Sequence, residues 1–281
     1  MRPYDMTPIS LPISSKTQLP AEGVHFVWLG QFGFLFIIDG LLLFADPYLS
    51  NYLEHNHGTL PYAHDRMIPS PIAESLYPEI DLLIVSHGHE DHLDPVLVRQ
   101  LGLVNSKMNF IVPPGCVPQL RECGIGEKRT RTVSHEKSFA FGHDCLIEAF
   151  PAAHAEAQFD ASSVWALSYR FHLKGRTLLF AGDTTVYPEW SAWVGAKPCD
   201  LFLLPINGRT EEKERNGVVG NMDFHEALIV SLAAKVPMLG THFGMFAYNT
   251  VEIENLQREV EAFGIGDVVD FTRLGYLYSL R

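Results

Sequence analysis

The stretch Ser86-His87-Gly88-His89-Glu90-Asp91-His92-Leu93 restricts this chain more than any other part of it. It follows the apolar run Ile80-Asp81-Leu82-Leu83-Ile84-Val85, short and rich in branched residues, which reads as a buried β-strand. Three histidines and an aspartate therefore fall at the carboxyl end of a strand, where open sheets place their active sites. An extended backbone turns His87 and His89 to one side. Asp91 and His92 come as the chain bends away and can reach a second point nearby. One stretch can thus serve two metal ions. Imidazole nitrogen with carboxylate oxygen suits zinc, manganese or iron better than calcium or magnesium.

Two ions need more ligands than this stretch holds, so the chain should return to the site at later strand ends. It does so three times. His154 follows the strand-like Cys145 to Phe150 in Pro151-Ala152-Ala153-His154; Asp183 follows Arg176 to Ala181 in Gly182-Asp183-Thr184; His242 follows Pro237-Met238-Leu239-Gly240-Thr241. Each is a polar group just past an apolar run.

With these residues in view the sequence resembles the metallo-β-lactamase superfamily, whose ligand order is H-x-H-x-D-H, then His, then Asp, then His. The resemblance implies His87, His89 and His154 for a first metal, Asp91, His92 and His242 for a second, and Asp183 as the bridge. It spans about residues 21 to 281. It implies an α/β (α+β) fold, the αββα sandwich of two facing mixed β-sheets with helices outside. Within the superfamily the sequence is similar to the ascorbate-6-phosphate lactonase group, on Trp28-Leu29-Gly30, Asp46-Pro47, Arg66 with Pro69 and Pro71, Gly182-Asp183-Thr184, Pro205-Ile206-Asn207-Gly208 and Asn221-Met222-Asp223. That likeness implies one or two divalent ions per chain. The lactonases suggest Mn2+, whereas intrinsic affinity favours Zn2+. It also implies that Asp46 holds a ligand histidine in the correct tautomer.

From Val24 to Phe44 the pattern is three strands, with Asp39-Gly40 as a hairpin signal between the second and third. Residues 48 to 79 form a long connection, expected as a wall or lid of the pocket, with His57 or Arg66 reaching the substrate. After the metal stretch, helices are expected over Asp94 to Gly102 and Cys116 to Cys123, and strands at Asn109 to Val112 and Val164 to His172. The strand-and-helix blocks divide near residue 150, which suits two facing sheets in one domain, 21–281, rather than two independent units. Asn207 to Asn221 is a polar loop. Asn207, Arg209 and the cations after it are candidates for an anionic group such as phosphate. Asp223 with Glu226 fits a capping box that starts a helix.

In 281 residues the net charge is −12, and no basic stripe marks a nucleic-acid partner. Cys116, Cys123, Cys145 and Cys199 have no C-x-x-C spacing and read as buried thiols of a reducing compartment, so a cytoplasmic protein is expected. Met1 to Pro20 has no continuous apolar stretch for a secretory signal or membrane helix and reads as an N-terminal arm. No membrane partner is expected. Self-association is a fair default for enzymes of this kind.

Metal coordination lowers the pKa of water from about 15.7 towards about 7, supplying a metal-bound hydroxide as nucleophile at neutral pH. Asp91 could orient it and pass a proton to the leaving oxygen, and Asp183 would share in the catalysis as the bridge. The leading expectation is a lactonase acting on a small sugar-acid lactone, possibly phosphorylated. An alternative is phosphodiester cleavage, since Gly240-Thr241-His242-Phe243-Gly244-Met245-Phe246 and the Asp223 region are similar to N-acyl-phosphatidylethanolamine phospholipase D. An alternative of another class is a metal or ligand sensor without turnover.

Overall fold

The computed structural model describes residues 2–57 and 64–281, without the side chain of His57. The chain opens with β1 (Tyr4–Pro8), then β2 (Val24–Gly30), β3 (Gly33–Ile38) and β4 (Leu41–Ala45). Asp39 and Gly40 both take positive φ, 48° and 75°, as a two-residue hairpin turn with the twist of its strands requires. Every residue of β3 is buried, so the strand lacks a solvated face. It lies inside a sheet covered on both sides, which is why its sequence is a continuous apolar run.

After α1 (Tyr52–His57), three short strands add in parallel beyond β4: β5 (Leu82–Ile84), β6 (Asn109–Val112) and β7 (Thr130–Thr132). They are joined through α2 (Pro95–Val104) and α3 (Val117–Glu122). The second sheet holds β8 (Phe139–Phe141), β9 (Cys145–Pro151), β10 (Leu167–Leu173), β11 (Arg176–Phe180), β12 (Leu201–Pro205), β13 (Met238–Thr241) and β14 (Val269–Phe271). Its helices are α4 (Pro188–Gly195), α5 (Glu211–Arg215), α6 (Phe224–Ala234) and α7 (Ile253–Phe263). The last strand, β15 (Tyr276–Leu280), returns to the first sheet. The order is β1-β15-β2-β3-β4-β5-β6-β7 in one sheet and β14-β13-β12-β11-β10-β9-β8 in the other.

Side-chain alternation builds the layers. Phe26, Phe34, Phe36 and Ile84 share one core with Ile147, Phe171 and Phe180 of the second sheet, and the Phe36 and Phe171 rings meet edge to face at 5.3 Å. Their neighbours in sequence, Val27, Leu35 and Ile37, point the other way and pack with Leu97, Leu101 and Leu120 of α2 and α3. Trp190 and Val194 of α4 and Ala227 and Val230 of α6 join the core on the second sheet's side. Two mixed sheets face each other with helices outside, as expected.

Two expectations need correction, and a question left open by the sequence is answered. The chain changes sheets between Thr132 and Phe139, not near residue 150, because β8 and β9 close a hairpin, Phe141 opposite Cys145, and stay together. The N-terminal arm packs on its own chain: β1 pairs with β15, and Ile13 bridges to Ile72. The strand at 80–85 shrinks to β5, since a 3-10 helix runs from Glu74 to Glu79 and Ile80 caps it. Among the described residues, no helix is long and apolar enough to cross a membrane.

Candidate metal centre

The H-x-H-x-D-H stretch leaves β5 through Ser86 and then folds back on itself. His92 N and Leu93 N both donate to His89 O, at 3.0 and 2.7 Å, and this turn brings Asp91 and His92 round beside His87. Gly88 is required by space: a Cβ there would lie 2.2 Å from Gln119 Oε1 and 2.7 Å from Trp165 Nε1. Gln119 Nε2 donates to Gly88 O at 2.7 Å and pins the loop. Asp94 ends the turn. Its Oδ1 caps α2 through Val96 N and Leu97 N, while Oδ2 accepts from Leu49 N and Ser50 N.

The seven sequence-predicted groups come together. His89 Nδ1 lies 3.1 Å from His87 Nε2 and 2.9 Å from His154 Nε2. Asp183 lies between His92 and His242, with Oδ1 3.3 Å from His92 Nε2 and Oδ2 3.1 Å from His242 Nε2. Asp91 Oδ2 is 3.6 Å from His92 Nε2. Two groups able to hold an ion result, His87 with His89 and His154, and Asp91 with His92 and His242, each with its ligand atoms within 4.8 Å of one another. A third such group, Asp46 with His87 and His92, overlaps them. Asp46 is wholly buried and already engaged. Its Oδ1 accepts from Ser86 N at 2.6 Å, and its Oδ2 takes Ser86 Oγ and, at 2.7 Å, His92 Nδ1. That contact turns His92 Nε2 toward Asp183.

The cluster fits a cation. His92 Nε2, His242 Nε2 and Asp183 Oδ1 are buried and make no hydrogen bond, although they crowd one another. Leaving such atoms unpaired costs about 1–3 kcal/mol each. A shared divalent ion would satisfy all three. Burial, then the neighbouring His92, His154 and His89, holds His87 well below the ordinary imidazole range. Burial lowers His89 and brings His154 down to about 4. These rings are therefore neutral, the form a metal accepts. Burial alone would raise Asp183, but His242 and His92 overcome it and keep the carboxyl well below its usual range. Burial would lower His92, yet Asp183, Asp91 and Asp46 drive it well above. Three carboxylates around one buried ring demand positive charge at this point.

Trp165 backs the first group, with ring centroids 5.3 Å from His87 and 4.9 Å from His89, and is stacked on His154 at 6.4 Å. In front, Leu53, His64, Glu90, Val218, Val219, Tyr248 and Asn249 line a cleft of about 200 Å³ with His89, Asp91, His154 and Asp183. An adjoining cavity of about 430 Å³ shares Gly217, Val218 and Val219 and is closed by Ala155, Thr185 and Arg209.

The four substrate candidates do not line the cleft among the described residues. Arg66 is turned inward: Nη1 donates to Ser50 O at 3.3 Å and the guanidinium lies 5.5 Å from the Tyr48 ring centroid. Arg209 forks onto Glu226 at 2.6 and 2.7 Å and borders the adjoining cavity. Asn207 is buried, donating to Asn249 Oδ1 and accepting from Asn221 Nδ2. The His57 side chain lies outside the described residues. Sequence reasoning passed over Asn249, Val218, Val219 and Trp165. Only His64 carried a signal, as a histidine in the long connection.

This architecture defines a class. A family model described as the β-lactamase superfamily domain matches residues 45–243, and the chain belongs to that superfamily, with the metallo-β-lactamase fold. An uncharacterised protein of Mycobacterium tuberculosis is 30% identical over 204 residues, 71% of this chain and 53% of its own length. The chain thus spans about half the length of that relative. The N-acyl-phosphatidylethanolamine-hydrolyzing phospholipase D 1 of Caenorhabditis elegans is 26% identical over 246 residues, 82% of this chain and 67% of that protein. Among solved structures, a possible metal-dependent hydrolase of Veillonella parvula superposes with a TM-score of 0.74 at 12% identity, over 92% of this chain and 100% of that one, a likeness of fold. The superfamily's fold is thus joined here to a His/Asp cluster that could bind metal.

Proposed function

We propose that this protein hydrolyses a phosphodiester in a small amphiphilic substrate, using divalent ions held by His87, His89 and His154 on one side and Asp91, His92 and His242 on the other, with Asp183 between. The observation that carries the reading is the meeting of His92 Nε2, His242 Nε2 and Asp183 Oδ1, buried and without hydrogen bonds. Bound there, the ions would supply Lewis-acid polarisation and a water acidified towards about neutral pH. The remaining work falls to the chain. Asp91, whose side chain is 18% exposed against 6% for Asp183, faces the cleft and can orient a water, take a proton from it as it attacks and hand that proton to the leaving oxygen. Asp46 keeps His92 in the tautomer that presents Nε2. Leu53, Val218 and Val219 exclude water from the apolar side of the cleft.

Two facts support the phosphodiester. One is the named activity of the Caenorhabditis elegans relative, which matches 82% of this chain. The other is the cavity past Val218 and Val219, which Arg209 and Glu214 also border and which offers room for a non-reacting arm. A second reading, hydrolysis of an uncharged sugar lactone, is favoured by the engagement of Arg66 with Ser50 and of Arg209 with Glu226, since a neutral ring needs no guanidinium. Protein loaded separately with zinc and manganese should turn over phosphodiesters in parallel panels with lactones and β-lactams. Turnover of lactones alone would replace the phosphodiester reading. Two bound metals without turnover of any panel would favour a sensor.

A further inference from the structure

The connection between β2 and β3 carries a glutamine with an unusual set of contacts. Gln31 is fully buried and takes a left-handed φ of 51°, where residues with a side chain rarely sit. Its carbonyl holds it there, accepting from Trp28 Nε1 at 3.0 Å, Thr241 Oγ1 at 2.9 Å and His242 N at 2.9 Å. His242 is itself left-handed, at φ 66°. The backbone of Gln31 thus fixes the end of β13, which delivers His242. Its side chain turns the opposite way, and Nε2 donates to Asp91 Oδ2 at 2.9 Å.

One residue therefore grips both sides of the second metal position, the His242 backbone from the second sheet and the Asp91 carboxylate from the first. Packing alone does not account for it. Gln31 Oε1 is buried with no hydrogen-bond partner, a cost of about 1–3 kcal/mol that an apolar side chain of equal length would avoid. Asp91 is also the most exposed of the site's carboxylates, and so the freest to rotate. A neutral N–H donor on Oδ2 restrains that rotation without competing as a charge for the ion.

We propose that Gln31 is the positioning residue for Asp91, setting the carboxylate that completes the second metal position and carries the proton. This rests on the metal-hydrolase reading above. The test uses full-length protein reconstituted with cobalt, whose absorption reports each equivalent bound, and with zinc for turnover. Gln31→Met keeps length and volume but removes the donor. Its first equivalent of cobalt should bind as in the unaltered protein. Affinity for the second should fall about 10–100-fold, as for other groups that orient a ligand. With bis(p-nitrophenyl) phosphate, kcat should fall with KM nearly unchanged. Gln31→Glu, which sets a carboxylate against Asp91, should lose the second equivalent as well, and stands in if Gln31→Met does not fold. Unaltered binding of the second equivalent in the folded variant would overturn the proposal, as would equal weakening of both. Asp91→Asn tells the two failures apart: loss of the second equivalent in Asp91→Asn with Gln31→Met unaltered would overturn the part played by Gln31 alone, whereas an untouched second equivalent and turnover in Asp91→Asn would overturn the assignment of Asp91 and the proposal with it.

Discussion

Two charge clusters in this protein invite comparison, because they balance in opposite senses. On the outer face of the second sheet, Glu148 of β9 meets Arg170 Nη1 at 3.2 Å, His172 Nε2 at 3.2 Å and Lys197 Nζ at 2.5 Å. Arg170 is enclosed by α4: Nη2 donates to Trp193 O at 2.6 Å and the guanidinium lies 4.2 Å from the Trp193 ring centroid. One carboxylate there answers the cations of Arg170 and Lys197. In the cleft, Asp46, Asp91 and Asp183 surround His92, and burial keeps the His87, His89 and His154 rings neutral. The first cluster meets its carboxylate with cations from within the chain, although Arg170 Nε and His172 Nε2 make no hydrogen bond. The second gathers three carboxylates and lacks positive charge, which marks it as the place for ions. Neither buried titratable groups nor orphaned polar atoms alone would separate a structural network from a site; the sign of the imbalance does.

The comparison can be broken most forcefully at Asp183. Asp183→Ala should abolish turnover, a loss of more than about a thousandfold, and reduce bound metal by inductively coupled plasma analysis while circular dichroism stays unchanged. A folded variant with full metal and activity would remove the distinction between the clusters. Arg170→Ala should do the reverse. It strips a buried partner from Glu148 and should cost about 3 kcal/mol in denaturant unfolding, with metal content intact. Loss of metal instead would mean that the two clusters are linked.

Asp46→Ala sharpens the contrast at lower amplitude. Metal affinity should fall about 10–100-fold in competition with a chelator, since His92 loses the acceptor that orients it. The smallest effect is expected in acid. Burial would raise Glu148, but hydrogen bonds from Lys197, His172 and Arg170 outweigh it and hold the carboxyl at about 2. Its contribution to stability is therefore present above the unfolded value, about 4.3, and is lost as pH falls toward 2. Water screens the exposed part of this cluster, so the change should stay under about 1 kcal/mol. Glu148→Gln should flatten the metal-free protein's unfolding curve across that window, and an unaltered slope would take Glu148 out of the account.

Much of this was legible in the sequence, and the reason is local. Strand ends followed by histidine or aspartate announce themselves through an apolar run that stops, so His87, His89, His154, Asp183 and His242 could be grouped before any coordinates. Hairpin chemistry at Asp39-Gly40 and the capping box of Asp223 with Glu226 are equally local, and both occur as read. The substrate candidates were chosen for charge, and charge does not say which way a side chain turns. Arg209 faces Glu226 because that glutamate's own capping position on α6 brings it within reach, and Arg66 folds over Tyr48.

The sequence by itself determined the superfamily and the layered sheets, through the likeness its motifs carry, and the group of candidate ligands, because those depend on spacing within a strand and its turn. Only the tertiary structure decided which face of each loop lines the cleft, where the chain changes sheets, and that Gln31 joins Asp91 to His242. Gln31 and Asp91 are far apart in the chain, and His242 lies on the other sheet. An amide in a turn carries no signal until two sheets pack and bring its partners within hydrogen-bonding distance.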